Sequence, residues 1–112
     1  MKRNKELIGA TTSLLVLSAL AREASYGYQI VKRLNDSADG LFEWQEGTIY
    51  PILHKLEAQE LVRSRWQESV LGRQRKYYYI TAKGRSALSA DVNQWSAFSE
   101  LIVRAAGARR GS

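Results

Sequence analysis

The spacing of apolar residues along the chain predicts a helix near each end and a helix between them. A first helix over residues 5–22 is apolar around most of its circumference, so it should be buried on more than one side. A second helix over residues 27–37 has apolar positions three and four residues apart, and turn-forming residues end it. A last helix runs from residue 82 to about residue 106, behind Thr81 as its N-cap.

A further short helix in the middle of the chain has two different faces. One stripe is apolar at positions i, i+3, i+4 and i+7 and must pack inward: Ile49, Ile52, Leu53 and Leu56. The other side carries donors, an aromatic ring and a cation: Thr48, Tyr50, His54 and Lys55. Because Pro51 is tolerated best in the first turn, we expect this helix to begin near Thr48, with Thr48 as its N-cap.

A period of two follows this helix and predicts a β-hairpin. Residues 61–67 and the segment before Thr81 read as its two strands, and Gly72 relaxes the turn between them. One face of the hairpin would carry Val62, Ser64 and Trp66 on the first strand and Tyr78 and Ile80 on the second. A basic run comes directly after the turn and places several cations at the hairpin tip.

The last helix would be about 37 Å long at a rise of about 1.5 Å per residue. This is longer than a domain of this size needs on one side. Its apolar positions step by three and four residues, as in a coiled-coil seam: Leu88, Val92, Trp95, Phe98 or Ser99, and Ile102. Such a seam implies a partner helix, so we expect a homodimer. The alternative is a helix folded back on its own domain.

The expected fold is mainly α with a small β-hairpin. A winged helix-turn-helix would occupy residues 1–81, and a C-terminal dimerisation helix with a basic tail would occupy residues 82–112. The formal net charge is +6, and residues 55–85 hold eight basic side chains against three acidic ones. This excess favours a polyanionic partner, whereas the alternative is a basic surface that is merely solvated. The order helix, strand, basic tip, strand is that of a winged helix-turn-helix and indicates double-stranded DNA as that partner.

Other chemistry has little support in the sequence. The chain has no cysteine and a single histidine, which excludes disulfides and argues against a metal site. No general base is paired with a nucleophile. We therefore expect no enzyme activity and no cofactor.

The first residues resemble a secretory signal, since basic residues precede an uncharged run over residues 7–21. The run is shorter than the roughly 20 apolar residues that span a bilayer, and glycine, threonine and serine interrupt it. Its removal would also leave the later helices without a partner for their apolar faces. We therefore expect a cytoplasmic protein with no membrane contact.

Several segments together resemble the PadR family of bacterial winged-helix transcriptional regulators, in its short form with one C-terminal dimerisation helix. The resemblance covers roughly residues 14–102. It rests on Tyr-Gly-Tyr-Gln-Ile at 26–30, Gly-Thr-Ile-Tyr-Pro at 47–51, Leu-His-Lys-Leu-Glu at 53–57 and Gly-Arg-Gln-Arg-Lys-Tyr-Tyr at 72–78. Each segment is weak alone, but their order and spacing match the family.

Two positions depart from the family pattern. Gln45 stands where the family usually has a serine or a similar cap, so the cap before the third helix should be weaker. Glu60 stands where glycine is usual. A non-glycine residue in the left-handed conformation costs roughly 1–2 kcal/mol, so we expect this turn to be closed differently.

The geometry of a winged helix assigns the DNA contacts. The third helix would enter the major groove, and the second helix would touch the backbone across it. The wing tip would follow the minor groove. The candidate residues are Thr48, Tyr50, His54 and Lys55, then Tyr28 and Gln29, then Arg73, Arg75 and Lys76. The alternatives are core packing for the two tyrosines and a solvated tip for the wing. A dimer would read a pseudo-palindromic operator.

The resemblance also implies an effector site. In multidrug-sensing members of the family, the tryptophan matching Trp95 lines a central cavity for flat aromatic compounds. The candidate site here is Leu14, Ser18, Leu88, Val92, Trp95 and Ser99. The alternative is that Trp95 only fills the dimer core. The expected function is a repressor relieved by a planar aromatic ligand. The competing hypothesis is a protein-interaction module that does not bind DNA.

Overall fold

The computed structural model describes residues 5–68 and 70–107. Its four helices are α1 (Lys5–Arg22), α2 (Gly27–Ala38), α3 (Glu46–Ala58) and α4 (Ala82–Ala105). Its three strands are β1 (Ser25–Tyr26), β2 (Val62–Glu68) and β3 (Gln74–Ile80). They form one antiparallel sheet in the order β1-β3-β2. The mainly helical winged helix-turn-helix fold is therefore confirmed, and only the short β1 was not predicted.

One core joins the first three helices to the sheet. Its members are α1 residues Val16, Leu17 and Leu20, α2 residues Ile30, Val31 and Leu34, α3 residues Ile49, Leu53 and Leu56, and Trp44, Val62, Tyr78 and Ile80. The predicted inward stripe of α3 is present, with Ile52 half-buried beside the buried members. No described helix is both long enough and apolar enough to cross a lipid bilayer.

Trp44 fixes the connection between α2 and α3. Its indole Nε1 donates to the buried hydroxyl of Thr12 at 3.0 Å, which ties the connection to α1. The side chain of Asn35 meets both backbone groups of Trp44, accepting from its N–H at 2.7 Å and donating to its carbonyl at 3.0 Å. The start of α3 is therefore held from two sides.

The prediction that α3 begins near Thr48 is wrong. The helix begins at Glu46, and the Gln45 carbonyl accepts from the N–H groups of Thr48 at 3.0 Å and Ile49 at 3.1 Å. Pro51 therefore lies inside the helix and withholds one donor from the Gly47 carbonyl. Gly47 and Pro51 are both exposed, so water can reach that carbonyl and the loss is small. As predicted, Gln45 makes no side-chain capping bond.

The prediction that the Glu60 turn closes differently is also wrong. Glu60 adopts the left-handed conformation with a φ of 64°, and Leu61 N–H donates to the Leu56 carbonyl at 2.9 Å, as in a Schellman motif. Two contacts lie at this turn. The Thr81 hydroxyl donates to the Glu60 carbonyl at 2.8 Å, and the Lys83 ammonium lies 3.9 Å from the Glu60 carboxylate.

Thr81 caps α4 as predicted, accepting from Gly84 N–H at 2.9 Å. The helix then crosses the start of β2 at very short range. A Cβ at position 84 would lie 2.1 Å from the Leu61 carbonyl oxygen and 2.7 Å from Cγ1 of Ile80. Only glycine permits this approach without a shift of backbone.

Gly84→Ala should therefore lower the free energy of unfolding by about 1–3 kcal/mol through overpacking. Urea denaturation at a fixed protein concentration measures the change. Gly47→Ala is the matched control, because no atom lies within 4 Å of a Cβ there. It should be neutral or stabilising by up to about 1 kcal/mol. Equal midpoints for the two variants would contradict the close approach.

Candidate nucleic-acid interface

A groove of about 330 Å³ lies between α3 and the β2–β3 hairpin. Its walls carry aromatic, amide and basic side chains: Tyr26, Tyr50, His54, Trp66, Gln74, Arg75, Lys76 and Tyr78. The α3 wall is the polar side of that helix, since its apolar stripe faces the core. The groove therefore joins the polar side of α3 to the basic wing.

Tyr50 reaches the groove because α2 begins with glycine. A Cβ at position 27 would lie 2.3 Å from the Tyr50 hydroxyl oxygen and 2.4 Å from Cζ. The Tyr50 ring thus rests on the backbone at the start of α2 and is half-buried. This contact sets the spacing of the two helices of the helix-turn-helix.

Tyr26 connects the wing to the helix-turn-helix. It pairs with Tyr77 across β1 and β3, and the two rings meet edge to face at 5.4 Å. The Arg75 guanidinium lies 4.3 Å from the centre of the Tyr26 ring, in cation–π range. Because Tyr26 directly precedes α2, these contacts fix where the wing cations stand relative to that helix.

Gln29 has a structural role that the sequence did not suggest. Its side-chain oxygen accepts from the Tyr26 N–H at 3.2 Å, so it caps the start of α2 from within the first turn. The residue is half-buried. Its amide NH₂ is the group left to meet a phosphate.

Tyr78 forms the buried end of the groove. Burial raises the pKa of its phenol, and the Glu57 carboxylate adds to the shift. The phenol is therefore neutral at physiological pH, and Lys76 Nζ lies 5.7 Å from its ring centre. Glu57 itself accepts from the Ser64 hydroxyl at 2.6 Å.

The structure brings four of the predicted DNA contacts together in this groove and leaves the others outside it. Tyr50, His54, Arg75 and Lys76 line the groove. Tyr28, Thr48 and Arg73 are exposed on the surface. Lys55 is exposed too, but it lines a second cavity beneath α4.

Four groove residues were not predicted as contacts: Tyr26, Trp66, Gln74 and Tyr78. The predicted alternation of β2 holds, since Val62 is buried and Ser64 half-buried on the same face. Trp66 follows on that face, yet it is 66% exposed because the hairpin has passed the edge of the core. Its pairing with Lys76 places it at the groove. Along this face of β2, exposure rises with distance from Val62. That distance is the signal in the sequence by which the exposure of Trp66 could have been predicted.

The chain matches the family model described as Transcriptional regulator PadR-like family over residues 16–90, which is most of its length. The chain belongs to this family. A transcriptional regulator of Mycobacterium tuberculosis is 34% identical over 87 residues, covering 78% of each chain. The family assignment makes the chain a PadR-like transcriptional regulator, a class that acts by binding DNA.

Solved structures of PadR-like regulators share the fold. The one from Bacillus cereus has a TM-score of 0.80 at 28% identity, covering 96% of this chain and 100% of that one. The one from Eggerthella lenta has a TM-score of 0.76 at 35% identity, covering 88% and 84%. The resemblance drawn from short sequence segments is therefore confirmed.

The predicted effector residues are only partly together in the single chain. Leu14 and Trp95 line one cavity of about 280 Å³ between α1, α3 and α4. Ser18 lines a different cavity of about 530 Å³ beside Trp44. Leu88 is half-buried against the core, whereas Val92 and Ser99 are exposed on α4.

Replacing Arg75 and Lys76 by alanine should weaken binding to all duplexes alike. Each lost cation removes about one phosphate contact, so the slope of log affinity against log salt should flatten by about 2. DNA titrations at several salt concentrations between roughly 50 and 200 mM measure this slope, because phosphate contacts change the affinity strongly over that range. Lys83→Ala, which removes a cation outside the groove, should leave the slope unchanged. An unchanged slope in the double variant would refute the wing assignment.

Proposed function

We propose that this PadR-like regulator is a homodimeric, sequence-specific repressor that acts in the cytoplasm on a pseudo-palindromic operator. We also propose that a planar aromatic molecule at the dimer interface relieves repression. The observation that carries the proposal is the apolar stripe of α4. The groove between α3 and the wing supports the DNA-binding part.

The stripe consists of Val92, Trp95, Phe98, Leu101 and Ile102, whose side chains are between 36% and 57% exposed. Most of it lies along one face of a helix of 24 residues, about 36 Å long. Large contiguous apolar surfaces on soluble chains mark interfaces. A second copy offers the same stripe and buries both, as a two-fold dimer requires.

A two-fold dimer carries two α3 helices and two wings. Dimeric helix-turn-helix proteins bind half-sites about 34–36 Å apart or a multiple of it. Thr48, His54 and Lys55 would meet the major groove on each side, and the positive end of α3 suits phosphate. Tyr28 and the Gln29 amide would contact the backbone across the groove. Arg73, Arg75 and Lys76 would lie along the minor groove.

The effector hypothesis rests on Trp95. The cavity that it shares with Leu14 is also lined by Lys55 and Leu56 of α3, so an occupant beside Trp95 touches the recognition helix. Ser18, Leu88, Val92 and Ser99 would join the site from the two copies. A planar ring would stack between the Trp95 side chains of the two copies. Derepression follows if the ligand prefers a dimer whose recognition helices are wrongly spaced.

Phe98→Glu should place a charge in the stripe and convert the dimer to a monomer at micromolar concentration. Operator affinity should fall with it, because each half-site is then bound alone. Sedimentation velocity and footprinting over the DNA upstream of its own gene measure the two effects. Asn93→Glu adds the same charge on the opposite side of α4 and should stay dimeric. A wild-type monomer with no duplex affinity at low salt would end the proposal.

A planar cationic dye should quench the intrinsic fluorescence and raise the apparent Kd for the operator. The quenching should disappear in Trp95→Phe, while Trp44 and Trp66 still report the remaining emission. The apparent Kd for the operator should rise because the dye and the DNA bind with negative coupling. By linkage, operator DNA should lower the affinity for the dye by the same factor. Equal quenching in Trp95→Phe would show that Trp95 only packs the dimer core.

A further inference from the structure

The wing tip holds two neighbouring aliphatic side chains in solvent. Val70 is fully exposed and Leu71 is 83% exposed. Hairpin loops are normally built from glycine, asparagine, aspartate, proline and serine. Gly72, with a φ of 81°, supplies the left-handed conformation of this loop. The turn itself therefore does not explain a valine and a leucine at its end.

The surroundings of this pair are basic, which suits a polyanion such as a DNA duplex. Arg73 directly follows the turn and is exposed, and Arg75 and Lys76 line the groove against α3. Glu68 ends β2, and a carboxylate oxygen lies 3.8 Å from the Cβ position of Gly72. This negative charge weakens the attraction of the extreme tip to phosphate. An apolar contact at the tip with cationic contacts behind it fits that pattern.

The tip of the hairpin extends beyond the groove that the hairpin forms with α3. The Trp66–Lys76 pair lines the groove beside His54, and the Glu68–Gln74 pair lies two residues further out. Two residues of strand span about 7 Å, and the loop adds to that distance. If α3 enters the major groove as proposed, the tip would reach the neighbouring minor groove, which is about 6 Å wide.

We propose that Val70 and Leu71 form an apolar wedge that enters the minor groove, partly unstacks one base step and bends the duplex. Aliphatic wedges act in this way in proteins that bind the minor groove. Pyrimidine–purine steps are the easiest to unstack, so the wedge selects sequence at a position that α3 does not touch. The inference rests on the proposed DNA-binding function and adds to it a mode of contact.

The test uses the full chain and a duplex that the wild type selects from a randomised pool. Val70→Ser combined with Leu71→Ser should weaken binding about tenfold and reduce the bend, measured by energy transfer between dyes at the duplex ends. The salt slope should stay unchanged, because no cation is removed. Both positions are exposed, so the fold should be unaffected, which circular dichroism checks.

Two controls separate a wedge from a general loss of apolar surface. Leu71→Met keeps an aliphatic side chain and should retain wild-type affinity and bend. Leu41→Ser removes a leucine that is 80% exposed in the α2–α3 connection, and it should also behave as wild type. Both results support the wedge. A loss of bend in Leu41→Ser equal to that in the tip variant would overturn it.

The wedge is overturned if the double variant binds and bends the duplex as the wild type does. A flatter salt slope in that variant would also overturn it, because the tip would then act through charge. Binding to phosphatidylglycerol vesicles is measured for the wild type and the double variant. If the double variant loses only vesicle binding and keeps duplex binding, the tip contacts lipid and the wedge is wrong. In all three cases the proposed DNA-binding function survives. A wild type with no duplex affinity at low salt overturns both.

Discussion

Trp44 is the constraint on which the position of α3 depends. Its indole donates to Thr12 inside the core, and its two backbone groups are held by Asn35 of α2. The next residue, Gln45, is the N-cap of α3 and makes no side-chain capping bond. Because this cap is weak, the start of α3 is positioned by Trp44, the residue before the N-cap. The contacts of Trp44 with α1 and α2 therefore determine the orientation of α3, and with it the position of any DNA contact that α3 makes.

The candidate DNA groove is assembled from segments that are far apart in the chain. Gly27 lets Tyr50 of α3 rest on the start of α2, and Tyr26 in β1 lies under Arg75 of β3. The two-residue strand β1 makes this possible, since it pairs with β3 and brings the wing beside the helix-turn-helix. Backbone pairing and cation–π contact thus place the cations before any DNA is bound. Such preorganisation lowers the entropic cost of binding.

Two apolar features of the surface differ in kind and point to different partners. The stripe on α4 is long and suits a second copy of the same helix. The pair at the wing tip is small and has cations behind it, which suits a duplex. Because these two surfaces lie on different elements, the proposed dimerisation and the proposed wedge can be altered separately. The cavity beside Trp95 lies between the stripe and α3, which is where coupling between dimer and DNA would act.

The sequence by itself determined the helices, the hairpin, the Thr81 cap, the inward stripe of α3 and the family. These features depend on the spacing of residues that are near one another in the chain, and that spacing is visible in the sequence. Only the tertiary structure decided the start of α3, the left-handed Glu60, the strand β1 and the membership of the groove. The Thr81 hydroxyl donates to the Glu60 carbonyl, and Trp66 faces the groove because the core ends before it. Each of these depends on contacts between residues that are distant in the chain, which a local pattern does not contain. At Glu60 the observed conformation is one that costs a non-glycine residue about 1–2 kcal/mol, so local preference alone predicts against it.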